Sequence, residues 1–456
     1  MRKLLIILLL AALGAYAATP PVYYLLWFDT EDFIEPASDD AALRLAQELT
    51  KRGIKATFKV VGEKARVLEQ RNRTDVVAAL KLHDIGYHSN FHSIHPASAE
   101  YLEGKGMLDG EQEFAMRELS GFQEVEKLFG MRPSCYGQPG NSWGPQANKV
   151  LRQWGTRVYM DEGGQVGFDQ QPFWFGSMLY IFGLGPNTVR ANLDKPALLP
   201  DAYRAFDSAF ERLRPTGGVI QSYYHPTEFV TTEFWDGVNF RRGANPERAD
   251  WKRPNLRTRE STEQAFQLFL AFIDHVRKTP GIRIITAREA PEVFQARELA
   301  VPLESARKLA ENIDVHDGFS PADQVLALLG LPPRHVDGPL RRAATTLKVQ
   351  EIPRAVFDRA KADAVRSITK QGRLPDSVWI GSQELSLPDF AATLAGDSGA
   401  AIVMIRKGNM AIESHVGINA AKLYNWVIHP EGFAPENLLE LARLQAWTLK
   451  PAALKR

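Results

Sequence analysis

The sequence has little of several features that would assign a protein to a familiar class. Its 456 residues contain a single cysteine, Cys135, which excludes both an intramolecular disulfide framework and a cysteine-based zinc site. The 55 lysine and arginine residues nearly balance the 54 aspartate and glutamate residues, so a net charge of +1 leaves no basic footprint for nucleic acid. No segment after the amino terminus is long and apolar enough to span a membrane. A metal site in this protein must therefore use histidine and carboxylate ligands.

The amino terminus has the organisation of an export signal. Arg2 and Lys3 precede the apolar run from Leu4 to Leu13, and the small-residue motif Ala15-Tyr16-Ala17 follows. The run of about ten residues is too short for a membrane anchor, which needs about twenty. We therefore expect residues 1–17 to be a cleaved signal peptide and the mature protein to be periplasmic or extracellular, with no membrane span.

Strand and helix patterns alternate over the first two thirds of the chain. The continuous apolar run from Pro21 to Phe28 predicts a strand buried on both faces, residues 42–49 have helical spacing, and residues 54–61 predict a second strand. A strand, a helix and a strand with short joints form a βαβ unit with parallel strands. The alternation continues with helices predicted at 111–128, 145–154 and 262–278 and strands at 157–160, 219–224 and 282–286. The repetition favours a distorted (β/α) barrel over an open sheet.

The alternation ends near residue 300, and the remaining chain has a different pattern. It predicts helices near 320–329, 352–369 and 387–395 and short strands at 377–380 and 401–405. We therefore expect a (β/α) barrel over residues 20–298 and a smaller α+β domain over residues 305–456, an accessory domain of unknown role.

Ionisable side chains gather where predicted strands end. Asp29, Glu31 and Asp32 follow the first strand directly, and the carboxyl ends of barrel strands are where active sites form. His225 follows a later strand and is a candidate acid or base. Arg132 lies in the segment 130–137, before the helix predicted at 145–154, and could orient a carboxylate.

A histidine cluster is the strongest sign of a metal site. His88 and His92 are four residues apart, so a helical turn would direct both imidazoles toward one ion. His92 and His95 also have a workable spacing, and the pair of ligands therefore stays open.

The order of these segments resembles that of a known family. The polysaccharide deacetylases, which include chitin and peptidoglycan deacetylases with the NodB homology domain (carbohydrate esterase family four), carry similar successive motifs. The matching segments are Phe28-Asp29-Thr-Glu-Asp32, His88-Ser-Asn-Phe-His92, Arg132-Pro133-Ser-Cys-Tyr136-Gly137 and Tyr224-His225. The likeness extends over roughly residues 20–295 and implies the family's barrel.

The resemblance implies a catalytic role for several residues. Asp29 matches the general base of the family, Arg132 the arginine that orients this base, and His225 the general acid. Asp161 falls near the motif that braces the histidine.

The resemblance also implies a metal site and a place for the sugar. His88 and His92 match the two metal-binding histidines, and the third ligand is Glu31 or Asp32, because the usual adjacent pair of aspartates is replaced here by Asp29-Thr-Glu-Asp32. The expected ion is divalent, zinc first, with cobalt, nickel or manganese as alternatives. The expected substrate-binding residues are the aromatic side chains Tyr136, Trp143 and Tyr224.

These expectations lead to one main function and two alternatives. The main one is an exported, metal-dependent hydrolase that removes N-acetyl groups from an amino-sugar polysaccharide, either a cell-wall glycan or a chitin-like polymer. The first alternative is a carbohydrate-binding protein whose catalytic site has decayed, which the nonstandard first motif would explain. The second is an amidohydrolase of the same fold that acts on small amides, against which the export signal argues.

Overall fold

The computed structural model of the protein describes residues 20–295 and 300–454. The predicted signal peptide, residues 1–17, lies outside the described residues. The strands are β1 (Val22–Thr30), β2 (Thr57–Val60), β3 (Asp84–Tyr87), β4 (Cys135–Tyr136), β5 (Val158–Asp161), β6 (Phe173–Phe175), β7 (Met178–Phe182), β8 (Gly218–Tyr224), β9 (Ile282–Ile285), β10 (Phe294–Gln295), β11 (Glu351–Pro353), β12 (Ser377–Ile380), β13 (Gln383–Ser386), β14 (Ile402–Met404), β15 (Lys450–Pro451) and β16 (Ala453–Leu454).

Helices follow most of these strands and cover the sheet. They are α1 (Ala37–Lys51), α2 (Gly62–Gln70), α3 (Thr74–Leu80), α4 (Ser98–Leu102), α5 (Met107–Phe129), α6 (Ala147–Gln153), α7 (Leu199–Leu213), α8 (Trp235–Asn239), α9 (Arg259–Lys278), α10 (Ala290–Val293), α11 (Leu303–Arg307), α12 (Pro321–Leu328), α13 (Arg354–Gln371), α14 (Leu387–Ala395) and α15 (Glu436–Gln445). None of the helices within residues 20–295 and 300–454 is both long and apolar enough to cross a membrane.

One curled sheet of mainly parallel strands forms the centre of the molecule. Its strand order is β15-β6-β7-β5-β4-β3-β2-β1-β8. One edge of β1 is shared by two strands: β9 pairs with its first half, and β2 pairs with its second half. Strands β1 to β5, β7, β8 and β9 run parallel, and helices pack around them. This arrangement is a distorted (β/α) barrel, as the sequence predicts. Among the described residues the sheet does not close on itself: β15 and β8 are its two end strands, and an isolated bridge joins Gln221 of β8 to Thr188.

The first strand shows why the sequence folds in this way. All nine residues of β1 are buried, because neighbouring strands cover its two edges and side chains cover both of its faces. A strand in this position can be apolar throughout, as the run PVYYLLWF is. Its last residues, Asp29 and Thr30, and the following Glu31 are polar and still buried, so they need partners inside the molecule.

The carboxyl-terminal part of the chain packs directly on the barrel. Strand β15 adds antiparallel to β6 at the edge of the barrel sheet, and β16 pairs with β10. The side chain of Thr448 accepts a hydrogen bond from Gly176 N at 2.8 Å, and Trp447 is fully buried. Residues of both parts contribute to one continuous hydrophobic core.

Candidate active site

The carboxyl ends of four parallel strands bring the ionisable side chains together. Asp29 and Glu31 come from the end of β1, His88 from the end of β3, Asp161 from the end of β5 and His225 from the end of β8. All are buried apart from His225, which is partly exposed. The sheet therefore gathers residues up to about 200 positions apart at one end of the barrel, which is the end that carries the active site in enzymes of this architecture.

Two histidines and one carboxylate converge on a single point. Glu31 Oε2 lies 3.0 Å from His88 Nε2 and 2.9 Å from His92 Nε2, and the three ligand atoms could hold a metal ion. The other oxygen of this carboxylate, Oε1, accepts a hydrogen bond of 2.9 Å from Trp235 Nε1. Burial opposes the charge on Glu31, yet the neighbouring histidines outweigh this effect and hold its pKa well below the usual range.

The hydrogen bonds on the far side of each imidazole are those of a metal ligand. His88 Nδ1 lies 3.0 Å from the carbonyl oxygen of Gly137, and His92 Nδ1 lies 2.5 Å from Ser93 Oγ. A proton on each Nδ1 leaves the Nε2 lone pairs facing the same carboxylate oxygen, and His92 Nε2 is buried with no hydrogen-bond partner among the described residues. Three electron-rich atoms this close need a positive charge between them, either a proton on an imidazole or a metal ion. The residues therefore fit a divalent ion of the kind that imidazole and carboxylate bind.

The loop that carries both histidines is irregular, whereas a shared helical turn was predicted for them. His92 has a φ of 53° and Ser89 a φ of 66°, both in the left-handed region. The loop is attached to α5 through Asn90, whose N–H donates to Glu118 Oε2 at 2.7 Å and whose side-chain amide donates to the carbonyl of Arg117 at 2.7 Å. Left-handed residues and a helix anchor, rather than helical periodicity, bring the two imidazoles together.

Lys59 orients Asp29. Its ammonium group is fully buried and lies 2.9 Å from Asp29 Oδ1, 2.8 Å from Asp161 Oδ2 and 2.8 Å from the carbonyl of Met160. Burial alone would favour the neutral amine, but the two carboxylates raise the pKa of Lys59, so the group is a cation. A Cβ at Gly137 would overlap Lys59 Nζ and Asp161 Oδ2, which explains the glycine that follows β4.

Arg132, which the sequence predicts to orient Asp29, lies elsewhere. It precedes β4 at the amino end of the strand, while Asp29 is at the carboxyl end of β1. Its side chain is 57% exposed and donates to Glu126 Oε1 at 3.1 Å. This prediction is corrected: the motif contributes the carbonyl of Gly137 to the site, and Lys59 contacts the carboxylate instead.

His225 faces Asp29 from the opposite side. Its Nε2 lies 3.5 Å from Asp29 Oδ2, and its Nδ1 lies 3.1 Å from Glu228 Oε1, which in turn pairs with Arg190 at 2.5 Å. Burial disfavours the imidazolium, but the carboxylates of Glu228, Glu31 and Asp29 outweigh burial and raise the pKa of His225 to about 9. The histidine is thus protonated at neutral pH.

The resemblance implied that Asp161 lies near the residue that braces His225. In the structure, Glu228 contacts the imidazole of His225 instead. Asp161 accepts hydrogen bonds from Lys59 and from the N–H of Glu162, the latter at 2.7 Å. Burial and the charge of Asp29 raise the pKa of Asp161 to about 6 in spite of Lys59.

Two other candidate ligands point away from the three-atom cluster. Asp32 Oδ1 accepts from the N–H groups of Ile34 and Glu35, both at 2.9 Å, and its other oxygen accepts from Thr227 Oγ1 at 2.9 Å. His95 pairs with Glu100 at 2.7 Å. Of the alternatives left open by the sequence, the structure brings Glu31, His88 and His92 together, while Asp32 shapes the loop after β1.

The three aromatic residues predicted to bind substrate lie in the core. Tyr136, Trp143 and Tyr224 are each at most 1% exposed, and all three belong to the large hydrophobic core. Other aromatic rings beside the site are partly exposed. The ring of Phe234 meets that of His225 edge-on, with 4.8 Å between the ring centroids, and the ring of Trp426 meets that of Phe234 with 5.4 Å between the centroids.

A surface pocket of about 410 Å³ lies next to Glu228 and Phe234, two residues that contact His225. It is lined by Arg190, Glu228, Phe234, Thr231 and Arg257 among others. Asp29, Glu31, His88, His92 and His225 are not among its lining residues, so the pocket adjoins the site without containing it.

Sequence reasoning missed the residues that support the site, and for some of them a signal existed. Lys59 is a charged residue within the second predicted strand, and Glu228 is three positions after His225 in the motif. Trp235 and Trp426 carry no comparable signal, because their partners lie some 200 positions away along the chain.

Comparisons with known proteins concern the fold. No protein-family model matches the sequence, and no curated protein matches it. Among solved structures, a polysaccharide deacetylase from Mycobacterium smegmatis is similar at 14% identity and a TM-score of 0.38, over 61% of this chain and 91% of that one.

Two further solved structures differ in function from the first. A 4-alpha-glucanotransferase from Thermococcus litoralis has 11% identity and a TM-score of 0.41, over 64% of this chain and 45% of that one. A pseudoenzyme of carbohydrate esterase family four from Bacillus anthracis has 12% identity and a TM-score of 0.29, over 59% of this chain and 64% of that one. At such identities and scores the likeness carries no argument about the reaction, so function has to be inferred from the side chains of the site.

Proposed function

We propose that the protein is an exported, divalent-metal-dependent hydrolase of the polysaccharide deacetylase type that removes N-acetyl groups from an amino-sugar polysaccharide. One observation carries the proposal. Glu31 Oε2 lies within 3.0 Å of the Nε2 atoms of both His88 and His92, and Asp29 and the protonated His225 lie beside them. Metal ligands, a base and an acid are the groups that amide hydrolysis requires.

Each group has a defined part in the reaction. An ion bound by His88, His92 and Glu31 would supply Lewis acidity for the acetyl carbonyl and for the attacking water. The oxygen of the water forms a bond to the carbonyl carbon, and Asp29 accepts the proton that this water loses. His225 then gives its proton to the sugar nitrogen as the carbon–nitrogen bond breaks. The products are acetate and a free amine.

The surroundings orient the base and hold the proton on the acid. Lys59 contacts Asp29 Oδ1 at 2.9 Å and so fixes the direction of the carboxyl group, whose Oδ2 faces His225. Glu228, which is itself held by Arg190, keeps the proton on His225. A histidine whose pKa is raised by a specific charged partner at the end of a barrel strand is typical of an acid–base site.

Export and a two-domain organisation belong to the same proposal. We infer a signal peptide over residues 1–17 from its sequence pattern, a catalytic barrel over 20–298 and an accessory domain over 305–456. An extracellular or periplasmic location gives the enzyme access to cell-wall or chitin-like glycan.

The test is acetate release from acetylated chitooligosaccharides and peptidoglycan fragments by the zinc-loaded protein, with Asp29→Asn as the blank. We expect release by the wild type and none by Asp29→Asn, which should retain its zinc. His88→Ala should lose zinc, whereas His95→Ala, a matched change three residues beyond His92, should keep it. Zinc binding without release from any glycan would contradict the proposal and favour a carbohydrate-binding protein, and release from small amides alone would favour the amidohydrolase.

A further inference from the structure

A chain of hydrogen bonds leads from the carboxyl-terminal part of the molecule to a proposed metal ligand. Trp426 Nε1 donates to Asp236 Oδ2 at 2.6 Å, and Ser93 Oγ donates to the same oxygen at 3.3 Å. Ser93 Oγ in turn lies 2.5 Å from His92 Nδ1. Asp236 and Ser93 are fully buried, so water does not compete for these bonds.

The backbone around Trp426 is held firmly against the barrel. The N–H groups of Arg242 and Gly243 donate to the carbonyls of Val427 and Ile428, both at 2.8 Å. The side chain of Ile428 is fully buried in a cluster with Phe33 and Trp235. The tryptophan therefore reaches Asp236 from a segment with its own anchors.

The directions of the hydrogen bonds decide which ring nitrogen of His92 carries the proton. A hydroxyl has one proton, so Ser93 can accept from His92 Nδ1–H only when its own proton goes to another acceptor. Asp236 Oδ2 is that acceptor, and the N–H of Trp426 holds the carboxylate in the required orientation. The result is a His92 with its lone pair on Nε2, the atom that faces Glu31.

We propose that Trp426 is a positioning residue for the metal site, acting on His92 through Asp236 and Ser93. The carboxyl-terminal part of the chain then completes the metal site instead of serving only as an attached accessory. This inference rests on the metal site of the proposed function, but not on the choice of substrate.

The test measures zinc affinity by competition with a chromophoric chelator, together with the visible spectrum of the cobalt-substituted protein. Trp426→Phe keeps the ring and removes the N–H, and Ser93→Ala removes the hydroxyl. We expect each to weaken zinc binding by about 10- to 100-fold and to change the cobalt spectrum, which is the usual effect of losing such supporting contacts.

Trp251→Phe is the matched control. Trp251 packs against the same cluster, but its N–H donates to the carbonyl of Pro246, at 3.1 Å, and leads to no ligand. We expect its zinc affinity to stay within about twofold of the wild type. The double variant Ser93→Ala/Trp426→Phe should bind zinc no more weakly than Ser93→Ala alone, because both changes act through one chain of bonds.

The outcomes separate this inference from the proposed function. A folded Trp426→Phe protein with wild-type zinc affinity and cobalt spectrum would overturn it, as would a wild type that takes up no metal. Weakened binding in Trp426→Phe but not in Trp251→Phe supports it even if no glycan releases acetate, a result that would count against the proposed function alone.

Discussion

At the scale of single residues, the site depends on a buried lysine between two carboxylates. Lys59 has no contact with solvent, and its removal would leave Asp29 and Asp161 facing each other without a cation. Breaking a buried ion pair by removing one partner typically costs 3–5 kcal/mol. A displacement of the base by about 1 Å can lower the reaction rate by about 100-fold.

We therefore expect Lys59→Met to lower kcat by about 100-fold or more while zinc content is retained. The measurement is kcat for acetate release, with zinc stoichiometry and thermal melting of the same sample. Lys64→Met is the matched control, since Lys64 is equally buried and contacts Asp39 and the carbonyl of Asp32 but neither Asp29 nor Asp161. It should lose stability but keep most of its kcat. Equal losses of kcat in both variants would show that Lys59 acts through stability alone.

His225 gives a prediction about pH. Its pKa is raised to about 9, largely by Glu228 against the effect of burial, so the acid form is present below this pH and is lost as the pH rises through it. Glu228→Gln removes the nearest negative charge and should lower the pKa of His225 by about 1 unit or more. The alkaline limb of the kcat–pH profile should therefore move to lower pH. An unshifted limb in a folded Glu228→Gln protein would exclude His225 as the acid.

At the scale of elements, the histidine loop depends on its close approach to α5. A Cβ at Gly121 in α5 would collide with the side chain of Asn90, which anchors the loop. Overpacking of this kind costs about 1–3 kcal/mol. The strain would fall on the loop, because the helix is 23 residues long and well supported.

We expect Gly121→Ala to weaken zinc binding by about tenfold or more, as measured by chelator competition, since a supporting contact of the ligands is displaced. Gly106→Ala, at the start of the same helix, is the control, because a Cβ there meets no atom within 4 Å. Comparable zinc affinity in the two variants would show that the loop does not depend on α5.

The elements also show what the sequence can and cannot predict. The apolar run of β1 and its acidic end are local features; the run correctly predicted the strand, and of the three carboxylates at its end the structure brings Asp29 and Glu31 to the site, while Asp32 turns away. The pairing of Glu31 with His88 could be expected from parallel topology, because both lie at carboxyl ends of strands. Asp29 contacts Lys59, and not Arg132, because Lys59 is the residue of β2 that lies beside Asp29 in the sheet. This register is set by packing across the sheet, which the sequence does not show locally.

At the scale of the whole molecule, the two parts of the chain share a core. Trp447 is buried in a cluster that also contains the barrel residues Phe173 and Tyr180, and Lys450 pairs with Trp174 in the sheet. A boundary between domains is usually a place that few contacts cross. Here strand pairing and core packing both cross it, so unfolding of one part should remove support from the other.

We therefore expect a single unfolding transition in denaturant, with far-UV circular dichroism and the cobalt absorption of the metal site coinciding. Trp447→Ala should destabilise both signals together by about 3–5 kcal/mol, which is the usual cost of removing a buried aromatic ring. Trp379→Ala is the matched control in the same part of the chain. Its side chain is 55% exposed, so its effect should stay within about 0.5 kcal/mol. Two separate transitions, with the metal site surviving the first, would mean that the barrel holds its site without the carboxyl-terminal part, contrary to the contacts that Trp426 and Trp447 make.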